Sequence, residues 1–322
     1  MRGVALAVGA VALALVAVGG IYAFRQGVGP LADPTRCTAT TAERSVALST
    51  EQAENASIIA AVAQRRNLPA RAVTIAFATA YQESDLENLE SGDRDSLGLF
   101  QQRPSQGWGR PRQIMNPYYA TNAFYDALVE INGYQTMRVT EAAQTVQRSA
   151  FPEAYADHEQ DSRVLASALT GYSPHTFACV VEPADVPAQR EGDNGLTGRA
   201  EALRLDLVKS FGRLSMGGFQ PGGVSTGHTE GSAHYEGRAI DVFFRPIEED
   251  NIRSGWVLAH YLVASPERLS IEHIIFDDRI WTSGDRSEEG WRNYSPPNLG
   301  ADAAAETRNI LEHRDHVHVD VA

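Results

Sequence analysis

The 322-residue sequence predicts a multidomain protein in which a mainly α domain precedes an α+β domain, with a transmembrane helix at the N-terminus. Three observations favour this fold class. An uncharged apolar run opens the chain, helical periodicity dominates its first half, and short β-like runs occur in its second half. At about 150 residues per domain, the length also suggests two domains rather than one.

The composition is that of a folded, acidic protein. Lys and Arg number 28 against 41 Asp and Glu, a formal net charge of -13, which argues against a general nucleic-acid-binding protein. Apolar residues make up 43% and charged residues 21% of the chain, so it can bury a core. The presence of only two cysteines excludes a disulfide-rich mini-domain and a zinc finger whose ligands are all cysteines.

The N-terminus has the features of a targeting segment. Residues 3–24 carry no charge and, as a helix, would extend roughly 33 Å, enough to cross a hydrocarbon core of about 30 Å. We interpret residues 1–25 as an uncleaved signal anchor, the alternative being a cleaved signal and secretion. The charges favour a cytoplasmic N-terminus, so the remaining chain is expected at the cell membrane, outside the cytoplasm. There Cys37 and Cys179 are predicted to form a disulfide, the alternative being two free thiols.

The first domain is predicted over residues 49–181, after a Gly-, Pro- and Thr-rich spacer at residues 26–48. A capping box of the form S-x-x-Q at Ser49–Gln52 predicts the start of its first helix. Helical patterns cover residues 53–65, 70–84, 117–129, 140–148 and 161–169, and an irregular polar stretch covers residues 87–112.

The second domain is predicted over residues 198–322, after a polar linker at residues 182–197. A helical pattern at residues 199–211 precedes β-like runs at 239–244, 271–276 and 316–321. Helix and strand patterns together predict an α+β domain.

Glu83 is the first candidate catalytic residue. It closes the predicted helix 70–84, and the side chains one and two turns before it are small, so a bulky substrate has room beside the carboxyl group. The apolar helix is expected to desolvate that group and raise its pKa, as a general acid requires. A glutamate near a helix end is by itself more often a solvated surface residue. What singles out Glu83 is the sequence around it, Tyr81–Ser84 followed by Ser96–Gln102.

These two segments, YQES and SLGLFQQ, resemble the lysozyme-like domain of lytic transglycosylases and goose-type lysozymes, whose signature is an E-S dipeptide followed by S-x-G-L-(M/F)-Q. The resemblance covers roughly residues 51–171. It implies that Glu83 protonates the glycosidic oxygen and that Gly98 allows close backbone approach. It also implies that Ser96 and Gln101 lie by the sugar cleft.

Aromatic residues after this motif are candidate stacking platforms for sugar rings, although aromatics at helical spacing are more often core residues. The candidates are Trp108, Tyr118, Tyr119 and Tyr125. A hydrolase that uses water directly requires a second carboxylate, for which Asp85, Asp93 and Asp95 are nearby in sequence. The alternative is attack by the substrate's own hydroxyl, which forms an anhydro-sugar and needs one acid/base only.

Histidines are concentrated in the second domain, which holds seven of the nine. His234 and Asp241 form an H-x6-D segment, and Asp241 falls in an apolar strand-like run where a lone carboxylate is costly. His316 and His318 project to one face of a strand. Two imidazoles and one carboxylate leave the fourth position of tetrahedral zinc open for water, the pattern of a catalytic site. The alternative is an exposed pair of strand histidines.

The segment 234–242 resembles the zinc-binding segment of hedgehog signalling domains and of D-Ala-D-Ala carboxypeptidases, which belong to one metallopeptidase superfamily. The resemblance spans roughly residues 222–322. It implies that His234, Asp241 and His318 bind Zn2+ and that His316 lies near the bound water or the oxyanion.

Further residues of the second domain match this superfamily less completely. Glu312 has the spacing of the hedgehog glutamate and is a candidate base, and His228 matches a histidine of the hedgehog site. The carboxypeptidase motif E-x-W-H is absent, so His313 or His316 are alternative bases. Hedgehog domains also indicate that such a zinc site can serve binding rather than proteolysis.

The two resemblances together imply one substrate, peptidoglycan, which combines sugar strands with short peptides. We therefore expect a bifunctional enzyme. Its first domain would be lytic transglycosylase- or muramidase-like, and its second domain would be a zinc D,D-carboxypeptidase- or endopeptidase-like hydrolase. One alternative is a glycan-cleaving enzyme whose second domain is a non-catalytic, zinc-containing wall-binding module. Another is a non-catalytic envelope scaffold. The predicted partners are peptidoglycan and the membrane, and no protein partner is indicated.

Overall fold

A computed structural model describes residues 36–148, 153–297, 299–300 and 302–322. The helices of the first half are α1 (Thr50–Arg65), α2 (Ala70–Ser84), α3 (Pro111–Ile114), α4 (Pro117–Val129), α5 (Val139–Gln147) and α6 (Glu159–Leu169). The predicted capping box is present at the start of α1, where Ser49 and Gln52 exchange backbone–side-chain hydrogen bonds. Helix α2 ends where Asp85 adopts the left-handed conformation.

A three-stranded antiparallel sheet completes the first half. Its strands are β1 (Arg36–Thr40), β2 (Ser45–Leu48) and β3 (Phe177–Val180), in the order β2-β1-β3. Residues 36–48 therefore form two strands, whereas the sequence favoured a spacer over residues 26–48. The predicted disulfide is confirmed, because Cys37 and Cys179 lie opposite each other on β1 and β3 and are bonded.

The second half contains a six-stranded sheet in which all pairings are antiparallel. Its strands, in spatial order, are β4 (Met216–Gly217), β5 (Ala239–Phe243), β9 (His316–Val321), β6 (Ile271–Phe276), β7 (Arg279–Thr282) and β8 (Arg292–Asn293). The helices are α7 (Gly198–Phe211), α8 (Glu249–Val263), α9 (Pro266–Leu269) and α10 (Ala305–Leu311). The last strand, β9, is thereby placed between β5 and β6, which brings the two histidine motifs together.

The two halves share one hydrophobic core, with α1 packed against both α7 and α8. The buried His260 on α8 donates its Nδ1 hydrogen to the carbonyl of Ala168 on α6, at 2.9 Å. The indole of Trp281 donates to the carbonyl of Cys179 at 3.2 Å, so the disulfide-bearing strand β3 also lies at this interface. Variants of this protein should therefore be compared in the full chain.

The predicted fold class needs one correction. Among the residues that the structure describes, no helix is long and apolar enough to cross a membrane. The transmembrane element of the predicted fold class is therefore wrong for the described chain, which consists of the helices and two sheets given above. The segment that the sequence assigned to the anchor, residues 1–25, lies outside the described residues, as do residues 26–35 of the predicted spacer.

Replacing both cysteines with alanine is expected to lower the free energy of unfolding of the full chain by about 2–5 kcal/mol, because the bridge closes a long loop of the unfolded chain. The two cysteines are 142 residues apart and fully buried. Chemical denaturation of the oxidised wild type, the reduced wild type and the double variant measures this effect. Equal unfolding free energies in all three would contradict it.

Candidate functional sites

Glu83 lies half-buried at the C-terminal end of α2. The buried Tyr155 donates a hydrogen bond to Glu83 Oε1 at 2.7 Å, and the side chain of Gln147 forms a second hydrogen bond to the carboxyl group. Burial raises the pKa of Glu83, and these two bonds offset only part of that increase. The pKa of this carboxyl group is thus shifted in the direction that a general acid requires.

The segment 96–102 is tied to the end of α2 beside Glu83. Ser84 Oγ donates to the carbonyl of Leu99 at 2.7 Å, and Gln147 Nε2 donates to the carbonyl of Phe100 at 2.7 Å. The serine of the E-S dipeptide thus anchors the loop that carries the second part of the motif. This contact gives a physical reason for the spacing of the two parts.

The other residues of the motif shape the loop. Gly98 has a φ of 74°, and a Cβ atom there would lie 2.9 Å from the carbonyl oxygen of Ile114. Gln101 Nε2 donates to the carbonyl of Gly98 at 3.2 Å, and Gln101 Oε1 accepts from Ser96 Oγ at 3.0 Å. The structure therefore places the polar groups of Ser96 and Gln101 in bonds within the loop.

A cleft of about 700 Å³ extends beside this site. Its lining residues are Gln106, Trp108, Ala127, Glu130, Ile131, Thr145, Val146, Gln147 and Arg148. Gln147 belongs both to this lining and to the hydrogen bonds of Glu83. Of the aromatic candidates for stacking, Trp108 lines this cleft. Tyr119 is not in the lining, and its ring packs against Gly109.

Two of the candidate second carboxylates, Asp93 and Asp95, have different surroundings. Asp95 accepts hydrogen bonds from the backbone of Ser105 at 2.8 Å and from Arg103 Nε at 2.7 Å, which hold its pKa well below the ordinary value. The side chain of Asp93 is 93% exposed. Asp95 is thus engaged by Arg103 and Ser105, and Asp93 is exposed to solvent.

The second site lies where β5 meets β9. Asp241 on β5 is directly opposite His318 on β9, and His234 comes from a short turn before β5. His234 Nε2 lies 3.2 Å from Asp241 Oδ1 and 3.1 Å from His318 Nδ1, and the last two atoms are 3.2 Å apart. Four ligands at 2.0–2.1 Å around zinc would be separated by about 3.3–3.4 Å. The predicted ligands therefore converge at a spacing that suits this metal.

The outer hydrogen bonds decide which ring nitrogens carry hydrogen. His234 Nδ1 lies 2.8 Å from the carbonyl oxygen of Gly218, and His318 Nε2 lies 3.3 Å from Asp320 Oδ2. These oxygens only accept, so they favour hydrogen on the facing nitrogens, and His234 Nε2 and His318 Nδ1 are the ring nitrogens that a metal ion beside Asp241 would engage. A Cβ atom at Gly218 would lie 2.2 Å from the His234 ring, so glycine is needed there.

Electrostatics also favour a cation at this point. Burial opposes ionisation of Asp241, but hydrogen bonds with His234 and His318 hold its pKa well below the ordinary value. Burial likewise opposes a charge on His318, yet Asp241 and Asp320 raise its pKa to about 9. The two carboxylates thus stabilise a positive charge on or beside the His318 imidazole, which a bound proton or a metal ion can supply.

Other histidines surround this centre. His316 Nε2 lies 3.9 Å from Asp241 Oδ1, and the His228 ring stacks on His234 with their centroids 3.9 Å apart. His228 is also within ligand reach of His234 and Asp241. The His313 ring lies 4.6 Å from the His316 ring, and burial lowers the pKa of His313 to about 3.

Glu312, the candidate base with the hedgehog spacing, is engaged elsewhere. Arg314 Nε donates to Glu312 Oε2 at 2.7 Å, and Arg308 lies 3.6 Å from its other oxygen. It is absent from the lining of the cavity of about 590 Å³ that contains the metal-ligand candidates. His313 and His316 do line this cavity.

The cavity is lined by apolar as well as polar side chains. We call its apolar and aromatic lining residues the apolar wall: Ala233, Phe243, Ile275, Ile280, Tyr294, Pro296, Pro297, Ile310 and Leu311. Arg245 lines the same cavity, with its guanidinium 4.3 Å from the centre of the Phe243 ring. The site thus combines a cluster of candidate metal ligands with room for aliphatic groups.

Several functional contacts were missed at the level of sequence. A sequence pattern could have identified Asp320, because it extends the alternation of His316 and His318 along one face of β9. No such pattern points to Tyr155 and Gln147, because they lie in separate elements far along the chain from Glu83.

Comparison with known families gives one match. A family model described as VldE, C-terminal domain, matches residues 192–309, a little over a third of the chain. The match contains His234 and Asp241 and ends before His316 and His318. No curated protein is significantly similar to the chain. The description of the family names no reaction, so the chemistry must be argued from the site itself.

Proposed function

We propose that this protein is a bifunctional enzyme that degrades peptidoglycan, cleaving the glycan strand at Glu83 and a stem or cross-link peptide at the centre around Asp241. The observation that carries the proposal is the presence, in one chain, of a half-buried carboxyl group with a raised pKa beside a cleft and of a converging His–Asp–His cluster in a second cavity. Peptidoglycan offers a substrate to both sites.

At the first site, Glu83 in its protonated form donates its proton to the oxygen of the bond between MurNAc and GlcNAc. Trp108 in the cleft supports stacking of a sugar ring. The carboxylate then takes a proton from the substrate's own hydroxyl, which closes an anhydro ring. The engagement of Asp95 by Arg103 and Ser105 favours this single-carboxylate route over direct hydrolysis.

At the second site, His234, Asp241 and His318 would hold zinc, which suits two imidazoles and a carboxylate. When bound, zinc supplies Lewis-acid polarisation of a carbonyl group. The residues of the chain bind and orient the peptide, with the apolar wall beside Ile275 and Leu311 accommodating alanine methyl groups. His316 Nε2 lies 3.9 Å from Asp241 and so faces the place where the peptide bond would be cleaved.

The disulfide supports an oxidising compartment as the place of action, since such bonds persist outside the cytoplasm. Peptidoglycan is found in that compartment. The acidic net charge of -13 offers no attraction to an anionic wall, so binding would come from the two cavities.

The proposal is tested by incubating purified sacculi with the full chain, with added zinc or with a chelator, and identifying the released muropeptides by mass spectrometry. We expect anhydro-muropeptides under both conditions and new peptide ends only with zinc. Glycan release without peptide cleavage would instead support a non-catalytic wall-binding second domain. Release of neither product would support a scaffold and reject the proposal.

Substituting Tyr155 with Phe is expected to shift the alkaline limb of glycan cleavage to higher pH. Tyr155 donates to the charged form of Glu83 and so lowers its pKa; without this bond the pKa rises further above its already raised value. Glu83 then stays protonated, and active as an acid, to higher pH. A pH profile of kcat/KM measures this, with Tyr172→Phe at an exposed tyrosine as control. An unchanged or lowered limb would contradict it.

A further inference from the structure

His316 has a carboxylate partner that no motif in the sequence indicates. Asp315 is 6% exposed, and its Oδ1 lies 2.7 Å from His316 Nδ1. Its other oxygen, Oδ2, accepts a hydrogen bond from Arg245 Nε at 2.6 Å. One buried carboxylate thus joins His316 to Arg245.

This chain of contacts dictates the tautomer of His316. Burial opposes ionisation of Asp315, but the contacts with His316 and Arg245 hold its pKa below the ordinary value. A carboxylate can only accept, so the hydrogen of neutral His316 must lie on Nδ1. The other ring nitrogen, Nε2, is then a bare acceptor, and it is the one that faces Asp241 at 3.9 Å.

Arg245 holds the carboxylate in this orientation. Arg245 follows Phe243 by two residues at the end of β5, and its guanidinium stacks on the Phe243 ring. The Phe243 ring in turn lies 5.7 Å from the His316 ring. Because a guanidinium only donates, Arg245 requires an acceptor atom on residue 315.

We propose that Asp315, held by Arg245, is a positioning residue that fixes His316 with Nε2 as the hydrogen-bond acceptor of the peptide-cleaving site. This inference rests on the proposed function, and it selects His316 over Glu312 and His313 as the proton acceptor. Glu312 is engaged by Arg314 and lies outside the cavity lining. His313 also lines the cavity, but its Nδ1 lies 3.0 Å from the backbone carbonyl of Leu311, a neutral partner, whereas His316 faces an ionised carboxylate that makes its Nε2 more basic.

The isosteric variant Asp315→Asn gives a specific expectation. Arg245 only donates, so it retains the side-chain oxygen of the new amide, and the amide NH2 must then face His316 Nδ1. That nitrogen becomes an acceptor, and the hydrogen of His316 moves to Nε2. We expect kcat for peptide cleavage to fall by roughly 10²–10⁴-fold, with KM little changed, because the acceptor facing the substrate is lost.

The double variant Asp315→Asn/Arg245→Met provides the rescue. Without Arg245 the amide is free to turn its oxygen toward His316 Nδ1, which restores the original tautomer. We expect kcat to rise at least about tenfold above that of the single Asn variant, a non-additive result. If Asp315 and Arg245 had only a structural role, the double variant would have the lower kcat of the two variants. Asp126→Asn, which breaks a surface pair with Arg66 of 2.7 Å, is the matched control.

The tautomer is measured by nitrogen NMR of labelled histidine in the full chain at one fixed pH, with and without zinc, and a His316→Gln variant assigns the signal. If wild-type His316 carries hydrogen on Nε2, or if Asp315→Asn leaves the tautomer unchanged, the inference is overturned. Failure of the double variant to restore the tautomer overturns the role of Arg245. If the tautomers behave as expected but the wild type cleaves no peptide, the positioning stands and the proposed peptidase activity fails.

Discussion

Replacing Glu83 with Gln is expected to reduce the release of anhydro-muropeptides by about 10²–10⁴-fold, because the amide has no proton to donate to the glycosidic oxygen. The substitution is nearly isosteric, and the amide oxygen can still accept the hydrogen bond that Tyr155 donates at 2.7 Å. The fold is therefore expected to be retained, which circular dichroism can verify. Mass spectrometry of muropeptides from sacculi treated with the full chain measures the loss.

The two proposed activities make this experiment internally controlled. The peptide site is built from β5 and β9 and shares no residue with the Glu83 cleft, so new peptide ends are expected to appear at the wild-type rate. Glu90→Gln, at an exposed glutamate between the two parts of the motif, is the matched control. Glycan release by Glu83→Gln at the rate of this control would reject Glu83 as the acid.

Local patterns predicted many of the elements well. Helix α2 occupies the predicted residues 70–84, with Pro69 before it and a left-handed residue after it. Strands β6 and β9 coincide with the predicted runs 271–276 and 316–321. In each case the deciding signal, a break or an apolar run, lies within the element itself.

Elements that depend on distant partners were not predictable in this way. Strand β1 lies in a Gly-, Pro- and Thr-rich region and pairs with the neighbouring β2 and with the distant β3, where Cys37 meets Cys179 at a separation of 142 residues. The cysteine pair indicated that the two regions meet, but not that they do so as a sheet. Strand pairing at such separations is decided by packing rather than by composition.

The residues of the candidate sites likewise differ in whether the sequence could predict them. Asp241 and His318 were predictable together because both fall in strand patterns, and the antiparallel pairing of β5 with β9 places them opposite each other. Their hydrogen-bonding partners were not, because Gly218 contributes only a backbone carbonyl. Tyr155, the partner of Glu83, is 72 residues away in sequence. Candidate catalytic and metal-binding side chains can be recognised from sequence motifs. The groups that orient them or shift their pKa are brought into contact with them only by tertiary packing.

Removing one metal ligand, in His318→Ala or Asp241→Asn, is expected to lower zinc affinity by at least about 10²-fold and to abolish the zinc-dependent peptide ends. His318→Ala deletes one of the three ligand atoms that lie 3.1–3.2 Å apart, and Asp241→Asn replaces a carboxylate with a neutral amide, a much weaker ligand. Metal content of the purified full chain measures the loss. Zinc is also expected to raise the Tm of the wild type, since it binds only the folded chain, and this increase should disappear in both variants.

A comparison with His228→Ala then decides which residues form the metal centre. His228 lies within ligand reach of His234 and Asp241, so it competes with His318 for the third position. In the structure His228 stacks on the face of His234, whereas His318 directs its Nδ1 at Asp241 from 3.2 Å. We therefore expect His228→Ala to keep zinc, like the control His175→Ala at an exposed histidine. Loss of zinc in His228→Ala, with zinc retained in His318→Ala, would instead identify His228 as the third ligand. The metal centre would then have no ligand on β9, the strand that carries His316.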